Sequence, residues 1–193
     1  AAEKVKEGGK DTSKDAVSSK SKILFQDDFS DESYTKENWT WNNVTEEGME
    51  LNVLGSGCET YAGEDNWTDY ILEAKMKFIE SGKNSAGFQV RYSEGNDKLL
   101  ICYAPGGSNH VFNIKSTGEW SGAKNTRVKK QKFKENQWYQ FRIICEDGKT
   151  EIYCDDDFIG TIEDDKIPSS GKIGLFAFDN HVAFDDVKVT AIK

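Results

Sequence analysis

From Tyr70 to Phe78 every second residue is apolar: Tyr70, Leu72, Ala74, Met76 and Phe78 fall on one side of the run, and Glu73, Lys75 and Lys77 on the other. A two-residue period is that of a strand with one buried face, whereas an amphipathic helix needs a period of 3.6. The same rule recurs in "AGFQVRYS", where Phe88, Val90 and Tyr92 oppose Gln89 and Arg91, and in "QWYQFRIIC", where Tyr139, Phe141, Ile143 and Cys145 share a face. Further β-like runs are "KILFQDDF", "NWTWNNVT", "MELNV", "KLLICYA", "HVFNIKS", "TEIYCDDDFIGTI", "GKIGLFAF" and the closing "HVAFDDVKVTAIK". Turn-forming residues separate them, and helix signals are almost absent. This series predicts an all-β fold of two packed antiparallel sheets, a jelly-roll sandwich.

The 193 residues suffice for one domain with a core of normal depth. Residues 1–21, "AAEKVKEGGKDTSKDAVSSKS", hold no aromatic residue and cannot bury enough surface to offset their ordering entropy. They read as a polar linker tethering the folded part, residues 22–193, to an upstream module or anchor. The net charge of −9 argues against a nucleic-acid partner, which calls for clustered Lys and Arg. No apolar run has the length that crosses a bilayer. The chain is expected to be a monomer, with no direct insertion into a membrane.

Four cysteines, Cys58, Cys102, Cys145 and Cys154, show no CxxC spacing. Asp147-Gly148 is a two-residue hairpin signal that sets Cys145 opposite Thr150 and Cys154 opposite Phe141. That register leaves Cys145 and Cys154 too far apart for a bridge, so the cysteines read mainly as small buried apolar groups. A pair using Cys58 or Cys102 stays open.

In the last strand, alternation places Ala183, Asp185, Val187, Val189 and Ala191 on one face. A carboxylate in an apolar row costs several kcal/mol unless something compensates it, on the order given for ion desolvation. A turn cap, or pairing with Lys188 or Lys22, would do so.

The order of "FQDDFSD", "NWTDYILEAKMKF", "AGFQVRY", "QWYQFRIICEDGKTEIYCDD", "GKIGLFAF" and "AFDDVKV" resembles the concanavalin A-like lectin/glucanase superfamily over residues 22–193. Within it, the chain is most similar to laminin-G-like carbohydrate-binding modules, in particular family 66, and to 3-keto-disaccharide hydrolase domains. The resemblance implies a structural calcium joining first and last strands. Asp185 would offer its side chain to it, and Asp28 and Gly48 their backbone carbonyls. Calcium accepts hard oxygens of this kind. The second acidic cluster, "DDDF" at 155–158, reads instead as a solvated hairpin tip.

Glycanases of this fold resembling glycoside hydrolase family 16 carry ExDxE or ExDxxE on one strand, because a retaining mechanism needs two carboxyls close together. Neither pattern occurs here. His110 and His181 lie in no nucleophile-elbow sequence. The balance favours binding over catalysis, and the resemblance implies a pocket of Glu59, Arg91, Tyr103 and Trp120, with Glu59 and Arg91 gripping hydroxyls and the rings stacking on sugar. Gln89, beside Arg91 on the polar side of its strand, joins them, with Asn109 and Asp97 as weaker additions. Arg91 could instead pair with Glu59 or Glu73. Trp39, Trp41, Trp67 and Trp138 read as core or loop-packing residues.

The sequence thus predicts a non-catalytic module binding a polysaccharide or oligosaccharide, outside the cell or at its surface. Two alternatives stand beside it: a glycoside-acting domain of the 3-keto-disaccharide hydrolase type, and a laminin-G-like adhesion or sensor domain that binds protein.

Overall fold

The computed structural model describes residues 21–41, 43–80, 84–93, 95–104, 110–123, 127–129 and 131–192. The linker expected at residues 1–21 lies outside them except for Ser21, and Asn109 lies outside them too. The strands are β1 (Ile23–Asp27), β2 (Val44–Thr45), β3 (Gly48–Ala62), β4 (Tyr70–Glu80), β5 (Ala86–Tyr92), β6 (Lys98–Tyr103) and β7 (His110–Ser116). They continue with β8 (Glu119–Gly122), β9 (Arg127–Val128), β10 (Tyr139–Glu146), β11 (Lys149–Cys154), β12 (Asp157–Glu163) and β13 (Lys172–Ala191). All pair antiparallel in one curled sheet, ordered β8-β7-β6-β5-β13-β4-β10-β11-β12-β9.

Two long strands fold this sheet into two layers. The first half of β13 lies between β5 and the end of β3, and its second half pairs with β4 and the start of β3. The bend falls where the β3–β13 register slips between Phe178 and Asn180. There Asp179 adopts φ 47° and its carboxylate accepts the Gly55 N–H at 2.8 Å. The front layer is thus β8-β7-β6-β5, the first half of β13 and the end of β3. The back layer runs from β9 to β4 and the second half of β13.

The alternating apolar residues meet between the layers. Phe88 of the front packs against Phe141 and Phe184 of the back, with ring centroids 5.0 and 5.6 Å apart, and Tyr103 lies 5.1 Å from Phe141. The expected all-β jelly-roll architecture is what the chain adopts. The Asp147-Gly148 hairpin forms with Cys145 opposite Thr150 and Cys154 opposite Phe141. All four cysteines are free thiols, and Cys58 is the half-buried one. Asp155 and Asp156, with φ 49° and 64°, turn β11 into β12, so "DDDF" is a hairpin tip.

Three local expectations need correction. "NWTWNNVT" is not a strand: a short helix, α1 (Glu32–Asn38), precedes it, and only Val44–Thr45 pair. Asp31 caps that helix, its carboxylate accepting the N–H groups of Ser33 and Tyr34. Trp41 is exposed, whereas Trp39 and Trp67 are core and Trp138 is half-buried beneath the Lys77 ammonium.

The third correction concerns Asp185. The β4–β13 register slips between Asp185 and Lys188, and Asp186 sits at φ 48°, so a bulge reverses the alternation. Val182 and Phe184 face the core before it, and Val187 and Val189 after it. Asp185 is left half-buried beside the exposed Asp186. The deeply buried carboxylate is Asp27, compensated by three hydrogen bonds: from Phe29 N–H (2.8 Å), Thr35 Oγ1 (2.9 Å) and Trp39 Nε1 (2.9 Å).

Candidate functional site

The front layer has an outward face opposite the core, and antiparallel partners directly across from one another share it. Tyr61, Gly174, Gln89, Leu100, Asn113 and Gly122 form one continuous row across six strands. Glu59 and Phe176 start the row on one side of it, and Lys98, Lys115 and Trp120 form the row on the other.

A polar network is built into this face. Lys98, only 2% exposed, donates from Nζ to Glu59 Oε2 and to Tyr61 Oη, both at 2.8 Å. Gln89, fully buried, donates from Nε2 to the same Glu59 oxygen at 2.7 Å. Among the described residues its Oε1 has no hydrogen-bond partner. Burial alone would raise the Glu59 pKa, but hydrogen bonds from Lys98, Tyr61 and Gln89 outweigh it and hold the carboxyl below its ordinary value. Burial also lowers the Lys98 pKa, with Glu59 only partly restoring it. The Tyr61 hydroxyl is pushed up, by burial first and by Glu59 second.

Aromatic rings wall the network. Tyr61 and Tyr92 stack with centroids 3.8 Å apart and planes 12° from parallel. The Lys98 ammonium lies 5.3 Å from the Tyr61 ring, 5.2 Å from Tyr92 and 6.0 Å from Trp120. Trp120 is 51% exposed at the sheet edge. Gly174 lets the Tyr61 ring lie across the backbone: a Cβ there would come within 2.7 Å of the ring. Flat apolar rings beside charged donors and acceptors can hold a sugar by its C–H face and its hydroxyls.

Of the expected site residues, Glu59, Gln89 and Trp120 meet on this face. Arg91 does not. It occupies a β-bulge where β5 slips against β13, at φ 53°, and that conformation rotates its side chain off the Gln89 side. The guanidinium, 1% exposed, donates to the carbonyls of Pro168 (3.3 Å) and Thr68 (3.4 Å), while Nε has no hydrogen-bond partner among the described residues. It borders a hollow of about 780 Å³ at the end of the sandwich, which Asp147, Glu163 and Lys166 also line. Its expected partners go elsewhere: Glu59 pairs with Lys98 and Glu73 with Lys188.

The same bulge moves Tyr92 out of the core row and onto the outward side, where it stacks on Tyr61. Tyr103 is fully buried, because Leu99, Ile101 and Tyr103 are the inward residues of β6, so it walls no open pocket. Asp97 is half-buried in a turn where its carbonyl accepts the Ser93 N–H at 3.0 Å. Tyr61, Tyr92, Lys98 and Lys115 were missed by the sequence reading. Two signals were available: Tyr61 follows Glu59 by one strand period, and Lys98 opens β6 out of phase with its apolar residues.

Of the residues expected at calcium, Gly48 lies against Asp185, and Asp28 is near enough for its charge to act there. A Cβ on Gly48 would lie 3.4 Å from the Asp185 Cβ, and the Asp28 charge acts on Asp185. Burial, then Asp186 and Asp28, raises the Asp185 pKa, against the Asp186 N–H and Lys75. Asp185 Oδ1 accepts the Asp186 N–H at 2.8 Å, and Asp28 Oδ1 is held by Ser30. Among the described residues no three His, Cys, Asp or Glu side chains group as a metal site. The oxygens fit calcium in kind, but most of the donors would have to be carbonyls and water.

Solved structures of similar fold share little sequence. The family 66 carbohydrate-binding module from Bacillus subtilis is 18% identical, with a TM-score of 0.67 covering 80% of this chain and 96% of that one. The Crh5 transglycosylase is 10% identical, with a TM-score of 0.66 over 90% of this chain and 87% of that one. A Bacillus licheniformis beta-glucanase is 12% identical, with a TM-score of 0.61 over 88% and 98%. At these identities the likeness is one of fold. No curated protein matches the sequence. A family profile described as a 3-keto-alpha-glucoside-1,2-lyase-like domain matches residues 20–190, and the chain belongs to that family.

Proposed function

We propose that this domain binds saccharide on the outward face of its front layer, with Trp120 as stacking platform, Glu59 as hydroxyl partner, and the buried Gln89 and Lys98 holding that carboxylate in place. The observation that carries this reading is the Glu59–Lys98–Gln89 network held among the Tyr61, Tyr92 and Trp120 rings on a sheet face that stays partly open. A protein of this kind works when tethered to an enzyme or a cell surface, where attachment raises the local concentration of a partner on polysaccharide. Glycan-array binding by the wild type, lost in a folded Trp120→Ala variant, is the expected result. Equal binding by both proteins would refute the assignment of the face.

Family membership favours a second reading, elimination across C1–C2 of a 3-keto-alpha-glucoside. The ketone acidifies the C2 proton. The Lys98 amine, whose pKa burial lowers, would accept that proton as the C1–C2 double bond forms and the C1–O bond to the aglycone breaks, and would pass it to the departing aglycone oxygen. Aglycone release from a 3-keto-glucoside, abolished by Lys98→Met, would establish this reading. Binding without release would leave the domain a binder.

The calcium belongs to the proposal as well, with Asp185 as its side-chain ligand and the carbonyls of Asp28 and Gly48 beside it. It would tie the closing strand to the segment after β1.

A further inference from the structure

The charges of the proposed sugar face do not cancel. Lys98 and Lys115 lie directly opposite each other on β6 and β7, on the same side of the sheet. Like charges in that relation destabilise a strand pair. Lys115 also lowers the Lys98 pKa. Glu59 answers Lys98, but among the described residues no carboxylate lies within ion-pair distance of the half-buried Lys115.

The contrast with the rest of the molecule is informative. The chain carries a net charge of −9, and among the described residues eight lysines, Lys98 among them, pair with a carboxylate. Lys115 instead sits with its ammonium 5.7 Å from the centre of the Trp120 ring, which also has Lys98 at 6.0 Å. The exposed indole is therefore flanked by two ammonium groups, of which only Lys98 is paired with a carboxylate among the described residues. The ring quadrupole offsets only a part of that, about 0.5–1 kcal/mol at an exposed site.

We infer that the saccharide stacked on Trp120 carries an anionic group, a uronate carboxylate or a sulfate ester, placed to meet Lys115 opposite Lys98. The inference rests on the saccharide-binding reading above. A sugar anion would neutralise the excess charge of the face and relieve the cross-strand repulsion, and a neutral sugar would do neither. Lys115 is then a specificity-determining residue and Trp120 a platform indifferent to charge.

The test compares four probe sets by titration calorimetry in low and moderate salt. They are galacturonate, mannuronate and glucuronate oligosaccharides, their carboxyl-reduced counterparts, sulfated oligosaccharides and the desulfated forms. One anionic series is expected to bind about three- to tenfold more tightly than its neutral counterpart, as one partly exposed charge contact allows, and salt should erode the difference. Which series does so separates carboxylate from sulfate. Lys115→Gln should bind charged and neutral forms alike, and Lys115→Glu should reverse the preference. Neutral glycans binding as well as charged ones in a Trp120-dependent way would overturn this inference and leave the saccharide face standing. An absence of binding by every probe, charged or neutral, would overturn both.

Discussion

Gln89 and Arg91 stand two residues apart on β5, where alternation should aim them alike, yet Gln89 bonds to Glu59 on the outward face and Arg91 bonds to the Thr68 and Pro168 carbonyls at the end of the sandwich. The bulge between them sends the two side chains to different parts of the molecule. Gln89 belongs to the candidate site. Arg91 holds the loops before β4 and before β13 together.

Arg91→Ala is accordingly expected to act on stability. It removes a buried cation and leaves two carbonyls short of their donors, at a cost on the order of 2 kcal/mol. Denaturant unfolding should show that loss, while titration of the folded variant finds saccharide affinity within about twofold of wild type. A fully stable variant that has lost its ligand would return Arg91 to the binding site.

The ion pair beneath the rings gives a second expectation. Glu59→Gln leaves the 2%-exposed Lys98 ammonium without its counter-charge. Breaking a buried pair costs several kcal/mol, but Glu59 keeps 36% of its side-chain surface, so about 1–2 kcal/mol is expected. The double variant Glu59→Gln, Lys98→Met should recover most of it, because no isolated charge remains. A double-mutant cycle on urea unfolding measures the coupling, and additivity within 0.3 kcal/mol, about the scatter for independent sites, would show that the pair contributes nothing.

Acid should act through the same carboxylate. The folded-state pKa of Glu59 lies below its unfolded value, so its contribution is complete above the ordinary carboxylate pKa and disappears as pH falls through the lowered one. Melting temperatures of wild type and Glu59→Gln are therefore expected to differ at pH 7 and to converge in the acid range. A constant gap down to pH 3 would rule out Glu59 titration as the source.

How much of this was legible in the sequence follows from what a period can encode. Alternation revealed most of the strands and the jelly roll, because each side chain's burial is set by the parity of its position, and the Asp147-Gly148 turn fixed the register of its hairpin. Alternation failed at Arg91 and at Asp185, where one positive-φ residue in a bulge reverses parity, and in both places it put polar residues on the wrong face. It was silent on the strand that carries Trp120, since the four-residue β8 is too short to show alternation. Lys98 was passed over because a lysine opening an apolar run looks like a strand-end charge. Its burial depends on Glu59, 39 positions earlier and on another strand.

Calcium gives the next expectation. If the metal ties Asp185 to Asp28 and Gly48, chelator should lower the melting temperature of wild type and leave Asp185→Asn unmoved, and calcium should restore only the former. An identical melt with and without chelator would leave the Asp186 N–H as the sole partner that Asp185 requires.

Gly174 offers the most selective test of the face, because its missing side chain matters to one ring. An added Cβ would stand 2.7 Å from the Tyr61 ring and 3.0 Å from the Thr60 carbonyl oxygen, so Gly174→Ala must displace that ring from its stack on Tyr92. The inward neighbours of Gly174 on β13, Ile173 and Leu175, keep their places in the core. The fold should survive with a loss of about 1–3 kcal/mol, as for other overpacked sites. Saccharide affinity should fall by more than the Arg91→Ala variant loses, since stacked rings and the Tyr61 hydroxyl that accepts from Lys98 move together. Unchanged affinity in a folded Gly174→Ala protein would mean that the ligand touches Trp120 and never reaches Tyr61, confining the site to the β6–β8 edge.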